Sequence, residues 1–247
     1  HLTTRRQRQM CIRDRISPEI LTSKEINMAI NRAEFTDPFE FEGGALITLG
    51  LSATHTSTFV GKTVVEAAEI FPETHFFPIS IKRDEKTIIP RGDTVFHSGD
   101  HIVFMTEPGG EEELLKLSGQ NNGVIKNVMI LGGGRVGKKV AQDLSSNNFN
   151  VKLVEIDKDR AEELAEDLEN CLVIYGDGTN TELLDEESLD QMDSFIAVTG
   201  DSEDNIMSSL IAKSKGINKT IALVDNLDYY KLTQISGIDT LLSLIHI

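Results

Sequence analysis

Three glycines carry the sharpest chemical signal in this chain. Gly132, Gly134 and Gly137 stand in the run NVMILGGGRVGKKVAQDL, a GxGxxG spacing between an apolar strand-like stretch, Val128 to Leu131, and a helix-like one. Each position has a physical use: a tight turn at Gly132, close backbone approach to a pyrophosphate at Gly134, and close packing of helix on strand at Gly137. The amide groups at the start of the following helix, through Gly133, Arg135 and Val136, are natural donors to phosphate oxygens.

A GxGxxG spacing alone is weak evidence, and its context strengthens it. A second strand-like run, VKLVEID, follows a short polar loop and places Glu155 at its carboxyl end, 23 residues after Gly132. At that distance an acid accepts hydrogen bonds from the adenosine ribose hydroxyls and repels a 2′-phosphate, which favours NAD over NADP. A solvated strand end is the plainer alternative for Glu155, with Asp157 or Asp159 capping the next helix.

The elements that position these residues alternate. After VKLVEID come the helix AEELAEDL, the strand CLVIYGDG, the helix TELLDEES, the strand SFIAVTGD, the helix DNIMSSLIAKSKG and the strand TIALVDN. Such alternation predicts a Rossmann-like, doubly wound parallel sheet. Ligands of these sheets lie beyond the carboxyl ends of the strands, so Asp177 and Gly178, and Thr199, Gly200 and Asp201, are expected beside the glycine loop. Turn and cap chemistry accounts for the same residues, and the two roles are compatible.

Upstream, Pro38 to Glu107 reads as a small α+β unit: the strand GGALITLGLS, the amphipathic helix VGKTVVEAAEIFP ended by Pro72, and the strands FFPISIKR and HIVFMTE. No catalytic constellation emerges in it. His97 and His101 flank the turn Ser98-Gly99-Asp100, which reads as a hairpin end rather than a metal site. Ser57 and Thr58, near Gly61 and Lys62, have the types to hold an anion, though turn and cap roles fit them better. The stretch from Ile16, with Ile20, Ile26, Ala29 and Ile30 at helical spacing, reads as a connector helix.

Composition sets outer bounds. The 247 residues suggest two compact units. With 40 acidic against 24 basic residues the formal charge is −16, which opposes nucleic acid and anionic lipid surfaces. No apolar run approaches the roughly 18 residues that a membrane-spanning helix needs, so direct membrane insertion is not expected. Two cysteines, Cys11 and Cys171, give no disulfide framework; Cys171 opens an apolar strand where a buried, reduced thiol is expected, in keeping with a reducing cytoplasm. Residues 1–15 are basic and without apolar periodicity, so they read as foreign or disordered sequence. Together with the abrupt end at SLIHI they give the expectation of an internal fragment, truncated within its last domain.

The order of GGGRVG, LVEID, VIYGDGT, AVTGDSEDN and IALVDN resembles the RCK-type nucleotide-binding domain, also called KTN or TrkA-N. The first unit is similar to the smaller RCK-C (TrkA-C) companion through VGKTVVEAAEIFP, the IKRDEKTIIPRGDT hairpin and SGDHIVFMTE, and ISPEIL resembles the junction after a preceding nucleotide-binding domain. The resemblance implies a connector helix at 16–34, an RCK-C domain at 35–118 and an RCK-N domain at 126–247, a central slice of a tandem subunit. It further implies a cytoplasmic, peripheral regulator at the inner face of the plasma membrane. Such a regulator binds NAD, NADH or ATP/ADP, forms a homo-oligomeric ring, and gates the membrane potassium-translocating subunit of a Trk-type uptake system. The family's binding roles map onto Gly132 to Val136, Glu155, Thr199 and Gly200.

Two other readings stand beside this one. A regulatory tail of a cation antiporter or potassium channel shares the same domains. An NAD-dependent oxidoreductase would need a proton donor near the nicotinamide, yet residues 138–245 contain no His, and Tyr175, Tyr229 and Tyr230 lack a Lys partner in an evident catalytic motif. The expectation is a sensor with no catalytic or metal-binding residues.

Overall fold

The computed structural model describes residues 17–41, 43–70, 76–84, 86–119, 125–225, 229 and 237–243. The basic stretch 1–15, Pro72 and the last four residues lie outside them. The chain divides into two units, residues 1–31 with 125–247, and residues 32–124.

In the larger unit six strands, β6 (Asn127–Leu131), β7 (Asn150–Glu155), β8 (Cys171–Tyr175), β9 (Ser194–Ala197), β10 (Lys219–Leu223) and β11 (Thr240–Leu242), form one sheet in the order β11-β10-β9-β6-β7-β8. Every pairing is parallel. The helices between them, α4 (Arg135–Ser146), α5 (Lys158–Asp167), α6 (Thr181–Glu186) and α7 (Ser202–Ser214), supply the crossovers that parallel strands require. This is the doubly wound α/β fold. All residues of β9 and β10 are buried, as are the last four of β6, because helices cover both faces.

The edge strand β8 differs. Its residues are half-buried or exposed, and Cys171 is a free, half-buried thiol rather than a fully buried one. Burial still pushes that thiol up to about 11.

Helix α1 (Pro18–Asn31) belongs to the larger unit too. It lies along α4: Glu19 meets Arg135 with 2.8 Å between Oε1 and Nη1, and the Asn27 side chain donates to Asp143 at 3.0 Å. The two helices run parallel, since both early and later residues match. The stretch read as a connector is thus a packed element.

The smaller unit is a five-stranded antiparallel sheet, β1 (Thr36–Phe41), β2 (Leu46–Ser52), β3 (Phe76–Arg83), β4 (Lys86–Ile88) and β5 (His101–Thr106), in the order β1-β2-β5-β3-β4. Helices α2 (Val64–Ile70) and α3 (Glu111–Ser118) complete it. Its core gathers Phe35, Ile47, Leu49, Leu51, Phe59, Ile81, Phe96, Ile102, Phe104 and Leu114. One strand went unforeseen. β1 contains Pro38, which removes a ladder donor and is tolerated at a sheet edge. β4, three residues long, pairs antiparallel with β3 as the hairpin expected at IKRDEKTIIPRGDT.

The polar residues singled out in this unit are structural. Ser57 is buried and donates to the Ser118 carbonyl at 2.8 Å, while Thr58 donates to Leu117. His101 pairs with Thr36 at 2.6 Å, and the His97 amide donates to Asp100. Asp100, almost wholly buried, receives two Arg83 N–H groups at 2.7 Å. Burial alone would raise the Asp100 carboxyl; the Arg83 and His97 hydrogen bonds and their positive charges outweigh it and hold it below the usual aspartate value.

Candidate functional site

The carboxyl ends of β6, β7, β8 and β9 surround an open crevice of about 530 Å³. Strand order explains its place. β6 turns outward to α4 between neighbours β7 and β9, whose own crossovers leave in opposite directions, and the gap between these loops is the switch point of the sheet.

The glycine loop is built by close contact. Gly132 has φ of +99°, a left-handed conformation suited to glycine, and its N–H donates to Val154 at 2.9 Å. A Cβ at Gly137 would lie 1.9 Å from the Gly132 carbonyl oxygen, so α4 and β6 approach more closely than any other residue permits. A Cβ at Gly133 would meet Leu164 at 2.3 Å and the Glu155 carboxylate at 2.8 Å. At Gly134 a Cβ would meet nothing within 4 Å; it would project into free space. Gly134, which lines the crevice, is also the N-cap of α4, and no side chain caps that helix.

Not all of the loop lines the crevice. Gly132, Gly134, Glu155, Asp177, Gly178, Thr199, Gly200 and Asp201 do. Gly133, Val136 and Gly137 lie outside its lining; Val136 is buried, and Gly133 is covered by Leu164 and Glu155. The Arg135 side chain, 84% exposed, turns to Glu19 on α1.

Glu155 sits at the end of β7 and is only 7% exposed. Its Oε2 accepts the Gly133 N–H at 2.7 Å and its Oε1 the Asp157 N–H at 3.0 Å. The acid therefore braces the glycine loop from below while keeping further lone pairs toward the crevice. Arg160, 4.0 Å from that carboxylate, donates to the Gly133 carbonyl at 2.8 Å and is the single basic side chain among the described residues of the lining.

The remaining loops combine capping with lining. Asp177 accepts from both the amide and the hydroxyl of Thr179, which lowers its carboxyl below the usual value. Asp157 and Asp201 cap α5 and α7 through Arg160 and Asp204 amides. Thr199 is held by Asn205, a buried residue of α7.

Arg160, Ile156 and Asn205 escaped the sequence reading. Arg160 lies on a helix outside any motif, and Asn205, although it closes the run AVTGDSEDN, looks there like an ordinary polar helix residue. Ile156, 65% exposed at the crevice, reads as one more apolar strand residue. Among the described residues no group of three His, Cys, Asp or Glu could hold a metal, and no helix is long and apolar enough to cross a membrane.

Fold and crevice together define a Rossmann-type nucleotide-binding domain paired with a small antiparallel companion, the RCK class. A TrkA-C domain model matches residues 51–119 and a TrkA-N domain model residues 128–244. The chain belongs to this TrkA-N/TrkA-C family. It is 32% identical over 228 residues to the Trk system potassium uptake protein TrkA of Halomonas elongata, covering 92% of this chain and 50% of that protein. Against the protein of the same name from Haemophilus influenzae identity is 34% over 231 residues, with the same coverage. The chain thus spans half the length of these relatives. In fold it matches the crystal structure of the GsuK RCK domain, with a TM-score of 0.59 and 19% identity, covering 94% of this chain and 49% of that one. The GsuK channel bound to NAD gives 0.58 and 20%, covering 92% of this chain and 40% of that one.

Proposed function

We propose that this chain is the nucleotide-sensing part of a cytoplasmic regulatory subunit of a Trk-type potassium uptake system. It acts at the inner membrane face, in a ring of copies, on a membrane potassium-translocating subunit. One observation carries the reading: a glycine loop whose Gly134 lines the crevice with room beside its Cα, at a helix N-terminus no side chain caps. The names of the TrkA relatives supply the transport system.

Within the crevice, the amides of the α4 N-terminus would take the pyrophosphate, Glu155 the adenosine ribose, and Thr199 to Asp201 the second half of a dinucleotide. Five lining carboxylates, Glu155, Asp157, Asp177, Asp201 and Asp204, face one guanidinium, Arg160. That balance penalises a triphosphate more than a dinucleotide carrying fewer charges, so NAD(H) is favoured over ATP and ADP. The GsuK channel, similar in fold, binds NAD. The role we propose is binding rather than turnover, in keeping with the potassium uptake proteins that the chain resembles.

A sensor must bind its effector differently in two states, since equal affinity shifts nothing. Calorimetry of the purified chain with NAD, NADH, ATP and ADP, run beside a hydride-transfer assay, tests the reading. Binding without turnover is expected, tightest for NAD or NADH. Turnover would make the chain an oxidoreductase, and absence of all binding would remove the sensor.

A further inference from the structure

Asn205 is 1% exposed, and its side-chain amide is saturated. Its Oδ1 accepts the Thr199 N–H at 2.9 Å and the Thr199 hydroxyl at 2.8 Å; its Nδ2 donates to the carbonyls of Thr199 at 3.1 Å and Leu223 at 2.9 Å. Two acceptor and two donor positions exhaust what a primary amide offers, and both carbonyl partners fix which end is nitrogen.

This arrangement ties the loop after β9 to the end of β10. Thr199 in turn presses on the glycine turn, for a Cβ at Gly132 would lie 2.9 Å from its nitrogen and 3.0 Å from its Cα. A shift of Thr199 therefore changes the crevice wall beside the phosphate loop. Strand order assigns the wall to one half of the ligand. Glu155 ends β7 on one flank of β6, while Thr199 follows β9 on the other. In open α/β sheets the two halves of a dinucleotide lie on opposite sides of that switch point.

We propose that Asn205 is a positioning residue for the half of the crevice that receives the non-adenosine end of a dinucleotide, and so sets a preference for dinucleotides over mononucleotides. The inference rests on the nucleotide reading given above. Asn205 never touches the ligand; it acts through Thr199.

The test compares NADH and ADP binding by calorimetry for the wild-type chain and for Asn205→Ala, with Ile217→Ala as a control that loosens the same core away from the crevice. Asn205→Ala is expected to weaken NADH on the order of tenfold while ADP changes by less than about twofold, and the control leaves both unchanged. If that variant does not fold, isosteric Asn205→Asp replaces it. Its carboxylate turns an acceptor toward two carbonyls, so its NADH affinity is low at neutral pH and recovers as acid supplies the missing donor. Equal losses for both ligands, or no loss for either, overturn the proposal. Amide hydrogen exchange at Thr199 separates the two readings without ligand. Unchanged exchange in Asn205→Ala overturns the positioning role alone. A wild-type chain that binds neither nucleotide removes the sensor reading and this inference with it.

Discussion

Glu155 accepts the backbone N–H of Gly133 at 2.7 Å, so the acid at the end of β7 and the turn after β6 are one hydrogen-bonded object. Changes to the glycine loop and to this acid are therefore coupled, and the substitutions that probe them divide by where the new atoms go.

Gly137→Ala forces a methyl group to 1.9 Å from a carbonyl oxygen, whereas Gly134→Ala places one in free space. The first should destabilise the Rossmann unit by roughly 1–3 kcal/mol, as overpacking does. The second should cost under about 1 kcal/mol yet weaken NADH about tenfold or more, because the methyl occupies the ligand's path. Thermal melts and calorimetry of the pair check this; equal stability losses with equal affinities would refute the separation.

Replacing Glu155 does more than remove a ligand contact. Glu155→Ala leaves the buried Gly133 amide and the more exposed Asp157 amide without their acceptor and should cost about 1–3 kcal/mol, mostly from Gly133. Loss of the charge should also narrow discrimination against NADP, measurable as the ratio of NAD to NADP affinities. An unchanged ratio would detach Glu155 from the ribose.

In the companion unit the Asp100 carboxyl is depressed below its ordinary value of 3.8. A depressed acid contributes stability that is present above 3.8 and lost as pH falls through the folded value. Asp100→Asn turns a donor toward Arg83 and should cost roughly 2–3 kcal/mol at neutral pH, moderated because 27% of the Arg83 side chain is exposed. Melting curves from pH 7 to about 2 should show the gap between wild type and variant closing below 3.8. A gap that persists in acid would exclude the ion pair as its source.

Cys171, raised from 9.0 to about 11, should alkylate about a hundredfold more slowly than an ordinary thiol at neutral pH, since the thiolate is the reactive form. Peptide mapping after maleimide treatment distinguishes it from Cys11. Labelling as fast as in the denatured chain would contradict the burial.

The larger fold was legible because two independent periods agreed: glycines at 132, 134 and 137, and apolar runs alternating between strand and helix spacing. What escaped depends on partners distant in sequence. Pro38 hides β1, because an edge position that tolerates proline is visible only once the sheet is assembled. Cys171 looked fully buried because an apolar run does not reveal that β8 has no neighbour on one side. Asn205 and Arg160 are ordinary polar helix residues until the fold brings them to Thr199 and Gly133.

The parallel docking of α1 on α4 bears on how the chain reaches this state. Asn27 and Asp143 meet across a sequence separation of 116. During synthesis α1 leaves the ribosome before α4 and then waits, because its partner helix is made only after residues 32–124. Those residues form their own unit and can close on themselves meanwhile, which shortens the effective loop that α1 must span. Docking of α1 is thus a late, non-local event, and substitutions confined to its contact with α4 should speed unfolding more than they slow folding.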